Sequence, residues 1–517
     1  MPIERRTLGW SALGVGLVML ALLVRVEALN PASLWLDDAW LVVGARGENL
    51  LESFRAVISA PGYALVLFGW LAVAGTGELR AQLPALSFAL ASVPLAMAVA
   101  RRLGASPAIA GVSGAIIAAH TTHRILSVRA KHYTLDVLLA LVLLVLAIAL
   151  LQRLSSADES PGPALPLSAA WSLAAVALVA TLASAMLVLT AGATILAISI
   201  ALVQATPKQE RTPRRLLALA MPGASFVAAS AAWGLLVIRP NITAGVRGDH
   251  ATHLLPLDDL GVALPRLGNA IVQNFSWFTT IPWWVVALVV ATGWIVARRR
   301  GFAWFVLLAF PLIGAISLAA LGQAPIGVAR LDLHLLASFV AAAVLALCAA
   351  AEKLASWQAN LKARLVPVAA VTVIGLLAAA AAATPVAYPR ETVRPLVESL
   401  EQQRAAGDEV VVFSASRWTY GVYTSAPVSL VVDEAEGTGF RLEIDDPGVT
   451  LLRPMSGGRG RTDLALALAR RPNRLWLLVS HGNDPDLDAI TDALQSAGLS
   501  LTRTTRRPGA RLTLWTR

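Results

Sequence analysis

The sequence has little charge and almost no cysteine. Of its 517 residues, 14% are charged and 57% are hydrophobic, whereas a soluble domain carries about 25% charged residues. The mean hydropathy is +0.67. The one cysteine, Cys348, lies inside an apolar run, so no disulfide can form within the chain. The shortage of charge excludes an ordinary soluble protein and predicts a polytopic membrane protein.

The excess of basic over acidic residues is confined to one part of the chain. The net charge is +10, but from residue 386 onward 16 arginines and no lysine face 16 acidic residues. The excess therefore belongs to residues 1–385, where it forms short clusters between apolar runs, as the positive-inside rule describes. This distribution excludes nucleic acid as a partner and predicts contact with membrane lipids. Abundant alanine, arginine and valine with scarce lysine are typical of a GC-rich bacterial genome.

The basic clusters predict a topology. Glu4-Arg5-Arg6 precedes an apolar run long enough to cross a core of about 30 Å, which predicts a retained anchor with a cytoplasmic amino terminus in the cell membrane. A cleaved signal peptide is the alternative, although the run is long for one. Pro61–Gly75 is too short and wrongly placed for a crossing, and is expected to lie in the interface. About eleven crossings remain, at 9–26, 80–100, 107–125, 133–151, 166–184, 186–204, 216–238, 282–297, 302–321, 334–351 and 366–385.

Residues 386–517 are predicted to form a second, soluble unit outside the membrane. Pro385, Pro389 and Pro395 and the balanced charge mark its start. Alternating helix and strand patterns predict an α/β domain. The fold class is therefore mostly α: a polytopic membrane helical bundle, residues 1–385, followed by a carboxy-terminal soluble α/β domain. The predicted elements are helix 391–404, strands 409–413, 429–432 and 474–480, a flexible turn at 457–460, helix 486–497 and one or two strands within 499–515.

Two adjacent aspartates, Asp37 and Asp38, directly follow the first apolar run. An ionisable side chain next to the membrane core costs free energy, so its presence suggests a function. We therefore interpret this pair as a catalytic site at the external surface. Asp136 also stands at the mouth of an apolar run, 137–151. A carboxylate at this position needs a charged or hydrogen-bonding partner, or a water-filled cavity. The alternative is a carboxylate favoured by the dipole at a helix amino terminus.

Several basic residues lie on the side of the membrane where the positive-inside rule does not expect them. Cations kept near an acidic pair indicate a site for an anion such as phosphate. The alternative is that these side chains snorkel to lipid headgroups. The residues are Arg124, Arg129, Lys131, His132 and Arg330.

Four short motifs follow one another in the first 150 residues. They are Trp-x-Asp-acidic at 35–38, Arg-x-x-Leu-Pro at 80–84, Ala-Arg-Arg-Leu at 100–103 and Lys-x-Tyr-x-x-Asp at 131–136. With the proline-containing interfacial helix, this order resembles the GT-C superfamily of integral membrane glycosyltransferases. Within it, the chain most resembles the branch of protein O-mannosyltransferases and lipid A aminoarabinose transferases.

The resemblance implies transfer of a hexose or pentose from a polyprenyl-phosphate donor to a lipid, polysaccharide or protein acceptor in the cell envelope. Asp37 would be the general base or the carboxylate that orients the acceptor, and Asp38 stands where relatives carry glutamate. Asp136 completes the expected catalytic set. A phosphate leaving group needs cations rather than a proton donor, so single displacement with inversion is expected. The expected phosphate ligands are Arg129, Lys131, Arg330 and Arg124.

A divalent cation is left open. Asp37, Asp38 and Asp136 could supply the oxygen ligands that magnesium or manganese prefer, and His250 and His253 are alternative metal ligands. A metal-independent mechanism is equally compatible with the residues.

The substrate groove is expected to include Tyr133, His132 and Trp277. For Trp277 the alternative is a place in the aromatic belt of the membrane interface.

Two other functions compete with the glycosyltransferase. A transporter or flippase of lipid-linked or small polar substrates would also use many helices, but its ionisable residues should lie near the bilayer midplane in matching halves. An O-antigen-ligase-like transferase should depend on arginine and histidine in a large loop. The clustering of ionisable residues at one face and the acid pair in the first loop favour the external-face glycosyltransferase.

Overall fold

The computed structural model describes residues 2–517 except 30, 32, 47–59, 156–186, 234, 237–250, 358, 387, 389–390, 434–439, 454, 456–457 and 483. The chain divides into two compact units. The helical unit comprises Met1–Ala28, Ser59–Tyr63 and Leu83–Ala387. The mixed unit comprises Leu29–Ile58, Ala64–Gln82 and Tyr388–Arg517, so it joins the segment carrying the aspartate pair to the carboxy-terminal residues.

Long apolar helices make up most of the chain before residue 385. Their continuous leucine, alanine and valine content lets each helix satisfy its backbone internally while exposing an apolar surface. The helices are α1 (Pro2–Leu23), α2 (Leu36–Ala45), α3 (Pro61–Ala74), α4 (Glu78–Arg102), α5 (Pro107–Ala119), α6 (Thr121–Ser127), α7 (Tyr133–Ser155), α8 (Leu187–Ala205), α9 (Pro213–Trp233), α10 (Leu260–Phe275), α11 (Trp283–Arg300), α12 (Phe302–Ala320), α13 (Leu336–Trp357) and α14 (Ala359–Ala383).

Within the described residues, seven helical segments are long and apolar enough to cross a membrane. The predicted run at 107–125 is instead a short helix, α5, that ends at Ala119. The run at 166–184 lies outside the described residues, so the total of eleven stays a prediction. The segments are Ser11–Ala28, Glu78–Arg102, Tyr133–Leu154, Leu187–Ala205, Phe302–Ala320, Asp332–Ser356 and Leu365–Ala383.

Helices α11 and α13 pack closely in the core of the helical unit. A Cβ added to Gly293 of α11 would lie 1.9 Å from the carbonyl oxygen of Ala342 in α13. Small residues at such a crossing let two backbones approach, which is how membrane helices gain van der Waals contact. Gly293 therefore sets the distance between these helices.

The mixed unit contains a five-stranded sheet with the order β4-β1-β5-β7-β6 and a separate antiparallel hairpin, β2-β3. Strand β1 pairs in parallel with β4 and β5, whereas β7 pairs antiparallel with β5 and β6. The strands are β1 (Glu409–Val412), β2 (Val428–Val432), β3 (Phe440–Ile444), β4 (Val449–Leu451), β5 (Arg474–Ser480), β6 (Ser500–Arg507) and β7 (Ala510–Thr516), and the helices are α15 (Arg394–Gln403), α16 (Arg417–Tyr423), α17 (Arg459–Ala469) and α18 (Asp484–Ser496).

Strand β5 is the buried centre of this sheet. Successive strand residues point to opposite faces, so Leu475 and Leu477 join one hydrophobic cluster while Trp476 and Leu478 join another. Helices α17 and α18 contribute to the first cluster and α15 to the second. This double coverage is why β5 is hydrophobic at nearly every position.

The predicted α/β pattern is present in the mixed unit, with strand Arg474–Ser480 at the predicted bounds. The prediction of a flexible turn at 457–460 was wrong, because α17 begins at Arg459, directly after Gly458 in a left-handed conformation. The helix Arg417–Tyr423 was not predicted. It is short and aromatic, and its amphipathic pattern is too brief to read from sequence.

We expect Gly293→Ala to lower stability. The new methyl group must push α13 away or distort α11, and such overpacking costs about 1–3 kcal/mol. The matched control is Gly375→Ala in α14, where a Cβ would meet nothing within 4 Å. Thermal unfolding in detergent should show a lower midpoint for Gly293→Ala and no loss for Gly375→Ala. Equal midpoints for both variants would contradict the close crossing.

Candidate active site

The aspartate pair lies in the first turn of α2, in the mixed unit. Asp37 is partly exposed, whereas Asp38 is fully buried. Carboxylates are favoured in the first turn because the backbone amides there point toward them. The aspartate pair that the sequence singled out thus lies at a helix amino terminus, with Asp37 partly exposed and Asp38 enclosed.

Asp38 is held by a tyrosine from the carboxy-terminal segment. The Tyr388 hydroxyl donates to Oδ2 of Asp38 at 2.5 Å and accepts from the backbone amide of Trp35 at 3.0 Å. A hydrogen bond to a carboxylate is stronger than one between neutral groups. Asp38 is enclosed and engaged, and Asp37 is the more exposed carboxylate of this pair.

At the other end of α2 lies a polar cavity of about 280 Å³. Val43 and Arg46 of the helix end line one side, and the remaining lining comes from residues 421 and 424–430. The Arg46 guanidinium donates to the carbonyl of Val422 at 3.2 Å, and burial lowers its pKa. Val43 lies five residues after Asp38 in α2, so at about 1.5 Å per residue the cavity begins roughly 7 Å along the helix from the aspartates.

A basic cluster in the helical unit consists of Lys131, His132 and Arg330. Burial and the charges of Lys131 and Arg330 lower the pKa of His132 to about 3, so its imidazole is neutral at physiological pH. Nε2 of His132 lies 3.7 Å from Oδ2 of Asp136. The structure therefore brings His132 together with Lys131, Arg330 and Asp136, which are four of the residues that the sequence singled out.

The loop that carries Arg330 is fixed by a buried carboxylate. Oδ2 of Asp332 accepts from the Gly327 amide at 2.7 Å and from the Asn274 side chain at 2.9 Å. Gly327 has a φ of +76°, and a Cβ there would lie 2.7 Å from Cα of Ala270 in α10. The loop is thus tied to α10 at two points, which restricts where Arg330 can lie.

Arg124 contacts helix ends in the described structure. Its guanidinium donates to the carbonyl of Thr384 at 2.7 Å and to that of Val24 at 3.4 Å, next to the carboxy-terminal ends of α14 and α1. Nearby Arg25 donates to the carbonyls of Ala21 and Ala118. Cations are favoured at helix carboxy termini. Arg129 is buried, and the phosphate role of Arg124 and Arg129 stays a prediction.

The predicted groove residues differ in surroundings. Tyr133 lies against His132, with ring centroids 4.4 Å apart, so it belongs with the basic cluster. Trp277 is buried, stacks 6.4 Å from Phe339, and donates from Nε1 to the carbonyl of Asn274. Trp277 also lines a small cavity with His120 and Asp332, and its groove role stays a prediction.

The candidate metal ligands are only partly described. His250 lies outside the described residues, and His253 is in a 3₁₀ turn, Ala251–His253. Among the described residues, no group of three or more histidine, cysteine, aspartate or glutamate side chains is placed to hold a metal ion. Metal dependence stays a prediction.

Comparison with solved structures gives a match along the whole chain. ArnT from Cupriavidus metallidurans, in the apo state, aligns with a TM-score of 0.58 and 14% identity over 98% of both chains. ArnT bound to undecaprenyl phosphate aligns with a TM-score of 0.57 over the same shares. An oligosaccharyltransferase from Archaeoglobus fulgidus aligns at 0.48 and 12% identity, over 90% of this chain and 67% of that one. No family model and no curated protein sequence matches the chain.

The chain has the ArnT fold. ArnT is a lipid A aminoarabinose transferase, so the GT-C resemblance seen in the first 150 residues is confirmed at the level of fold. With its apolar helical segments, the chain is a multi-pass membrane protein.

Sequence reasoning missed the residues that surround the aspartate pair. Tyr388, Glu391 and His481 contact residues 34–38 or their side chains, although about 350 to 450 positions separate them. The sequence contains no local pattern that could have paired them. They follow from the joining of the two segments in one compact unit.

We expect the stability of the protein to depend on pH through His132. Its folded pKa is about 3, against about 6.5 in an unfolded chain. The unfolded state therefore binds the proton first, and stability contributed by neutral His132 is present above pH 6.5 and is lost as the pH falls toward 3. In His132→Gln, the drop in unfolding midpoint between pH 7 and pH 5 should be smaller than in wild type. An unchanged drop would contradict the burial of a neutral imidazole.

Proposed function

We propose that the protein transfers a sugar from a polyprenyl-phosphate-linked donor to an acceptor at the external face of the membrane. The observation that carries this proposal is the fold shared with ArnT over 98% of both chains, one of those ArnT structures being bound to undecaprenyl phosphate. The partly exposed Asp37 and the basic cluster supply the two kinds of group that such a reaction needs. The proposal places the amino terminus in the cytoplasm and residues 386–517 outside.

Asp37 is the proposed general base. In the proposed step, the acceptor hydroxyl oxygen bonds to the anomeric carbon as the bond from that carbon to the phosphate oxygen breaks. The acceptor proton passes to Asp37, and the bonding electron pair leaves with the phosphate. A single displacement of this kind inverts the anomeric centre and requires no carboxylate nucleophile.

The basic cluster is the proposed site for the donor phosphate. Lys131 and Arg330 are close enough to His132 for both charges to act on it. Cations held in a buried site stabilise the charge that grows on a leaving phosphate without a proton donor. Neutral His132 cannot supply positive charge, so its proposed role is to hydrogen-bond. Asp136 balances part of the cationic charge while the donor is absent.

We expect Asp37→Asn to abolish transfer, because the amide keeps the shape of the carboxylate but cannot accept a proton. Loss of a general base costs about 10²–10⁴-fold in rate. The assay follows the lipid-linked sugar that accumulates when the gene is deleted, by mass spectrometry, after complementation with each variant. The matched control is Asp445→Asn, an exposed aspartate of the same unit. Clearance of the lipid by Asp37→Asn at the wild-type rate would refute the assignment.

We expect Arg330→Ala to weaken use of the donor more than use of the acceptor, because it removes a phosphate contact. With the accumulated lipid-linked sugar as donor, KM for the donor should rise about 10-fold or more, which corresponds to loss of a charge-assisted hydrogen bond of about 1.5–3 kcal/mol. Arg299→Ala, an exposed arginine in the last turn of α11, is the control. Equal changes in KM for donor and acceptor would indicate a general defect instead.

A further inference from the structure

Helix α2 has no amino-terminal cap of its own. Its cap residue, Trp35, makes no side-chain capping hydrogen bond, and the first amides of a helix have no partner within the helix. The carboxy-terminal segment supplies the partners instead. The Leu36 amide donates to Oε2 of Glu391 at 3.3 Å, and the Trp35 amide donates to Tyr388. The turn that carries Asp37 is therefore capped by residues far away in the sequence.

Glu391 also engages a histidine. Its second oxygen, Oε1, is in direct contact with Nδ1 of His481. Nε2 of His481 accepts a hydrogen bond from Nε1 of Trp35 at 3.2 Å. An indole nitrogen can only donate, so Nε2 carries no proton and Nδ1 carries one. In this neutral tautomer, Nε2 accepts from the indole while Nδ1 faces the Glu391 carboxylate.

His481 is held in an unfavourable backbone conformation. Its φ is +52°, in the left-handed region, which is uncommon for residues other than glycine although histidine is among the residues enriched there. Such strain tends to persist where a side chain must be aimed at a functional site. Asp37 lies close enough for its charge to act on His481. The imidazole is therefore aimed at the turn that carries the proposed base.

We propose that Glu391 and His481 are positioning residues for Asp37. Together they fix both the backbone and the indole of the residues that begin α2, and so hold the Asp37 carboxylate in the orientation needed for proton transfer. The carboxy-terminal domain is then part of the catalytic apparatus. This inference rests on the proposed function of Asp37.

The test uses the full-length protein in detergent, the accumulated lipid-linked sugar as donor, and membranes of the deletion strain as acceptor. In Glu391→Gln, one end of the amide can still accept from Leu36, but the NH₂ group then faces Nδ1 and forces the proton onto Nε2, against the indole N–H. We expect kcat to fall about 10- to 100-fold, as for a misaligned catalytic group, with KM for the donor unchanged.

The second variant separates positioning from folding. His481→Gly removes the imidazole at a left-handed position that glycine adopts freely, so kcat should fall by a similar factor, and the unfolding midpoint measured alongside separates this loss from a folding defect. Arg471→Gly is the matched control, because Arg471 has the same φ of +52° in the same domain and is exposed. It should relieve strain and keep wild-type kcat. If His481 served stability alone, His481→Gly would lower kcat only together with the unfolding midpoint.

Failure of this inference and failure of the proposed function give different results. If Asp37→Asn is inactive while Glu391→Gln and His481→Gly keep wild-type kcat, the positioning role is refuted and the proposed base stands. If Asp37→Asn is fully active, the proposed function fails first. A rise in donor KM with unchanged kcat in both variants would also refute positioning, because it would indicate substrate binding.

Discussion

Every charged or polar group buried in this apolar chain needs a partner within the protein. Water is not present to solvate it, and an unsatisfied buried group costs several kcal/mol. In the helical unit, Arg25 and Arg124 meet this requirement at the carboxy-terminal ends of helices, where carbonyl groups also lack partners. In the mixed unit, Glu391 and Tyr388 meet it at the amino terminus of α2. The same constraint therefore places cations at one kind of helix end and acids at the other.

This constraint also separates structural charge from candidate catalytic charge. Arg124 contacts two carbonyls at helix ends, so its charge has a structural use already. Lys131 and Arg330 act together on His132, and His132 in turn lies 3.7 Å from the Asp136 carboxylate. Like charges that act on one side chain repel each other, and a nearby anion lowers that repulsion. A donor phosphate would relieve this repulsion, which is why the proposed function assigns it to the basic cluster.

The sequence predicted the features that depend on local pattern. Apolar runs predicted α4, α7, α12 and α13 close to their observed positions, because a membrane-length helix needs only continuous hydrophobicity. The motif order in the first 150 residues predicted the GT-C fold, and the solved ArnT structures confirm that fold. The sequence did not predict the short helix α16, since seven residues give too few turns for a periodic signal. It also assigned residues 457–460 to a turn where a helix begins.

The sequence by itself determined that this is a membrane protein, with an acid pair after its first apolar run and a segment of mixed helix and strand after its last one. These follow from composition and from periodicity over a few turns. Only the tertiary structure decided which aspartate is accessible and which side chains hold it, since Tyr388, Glu391 and His481 reach α2 from about 350 or more positions away. The physical reason is that capping a helix end requires a donor or acceptor at hydrogen-bond distance, and chain folding alone sets that distance.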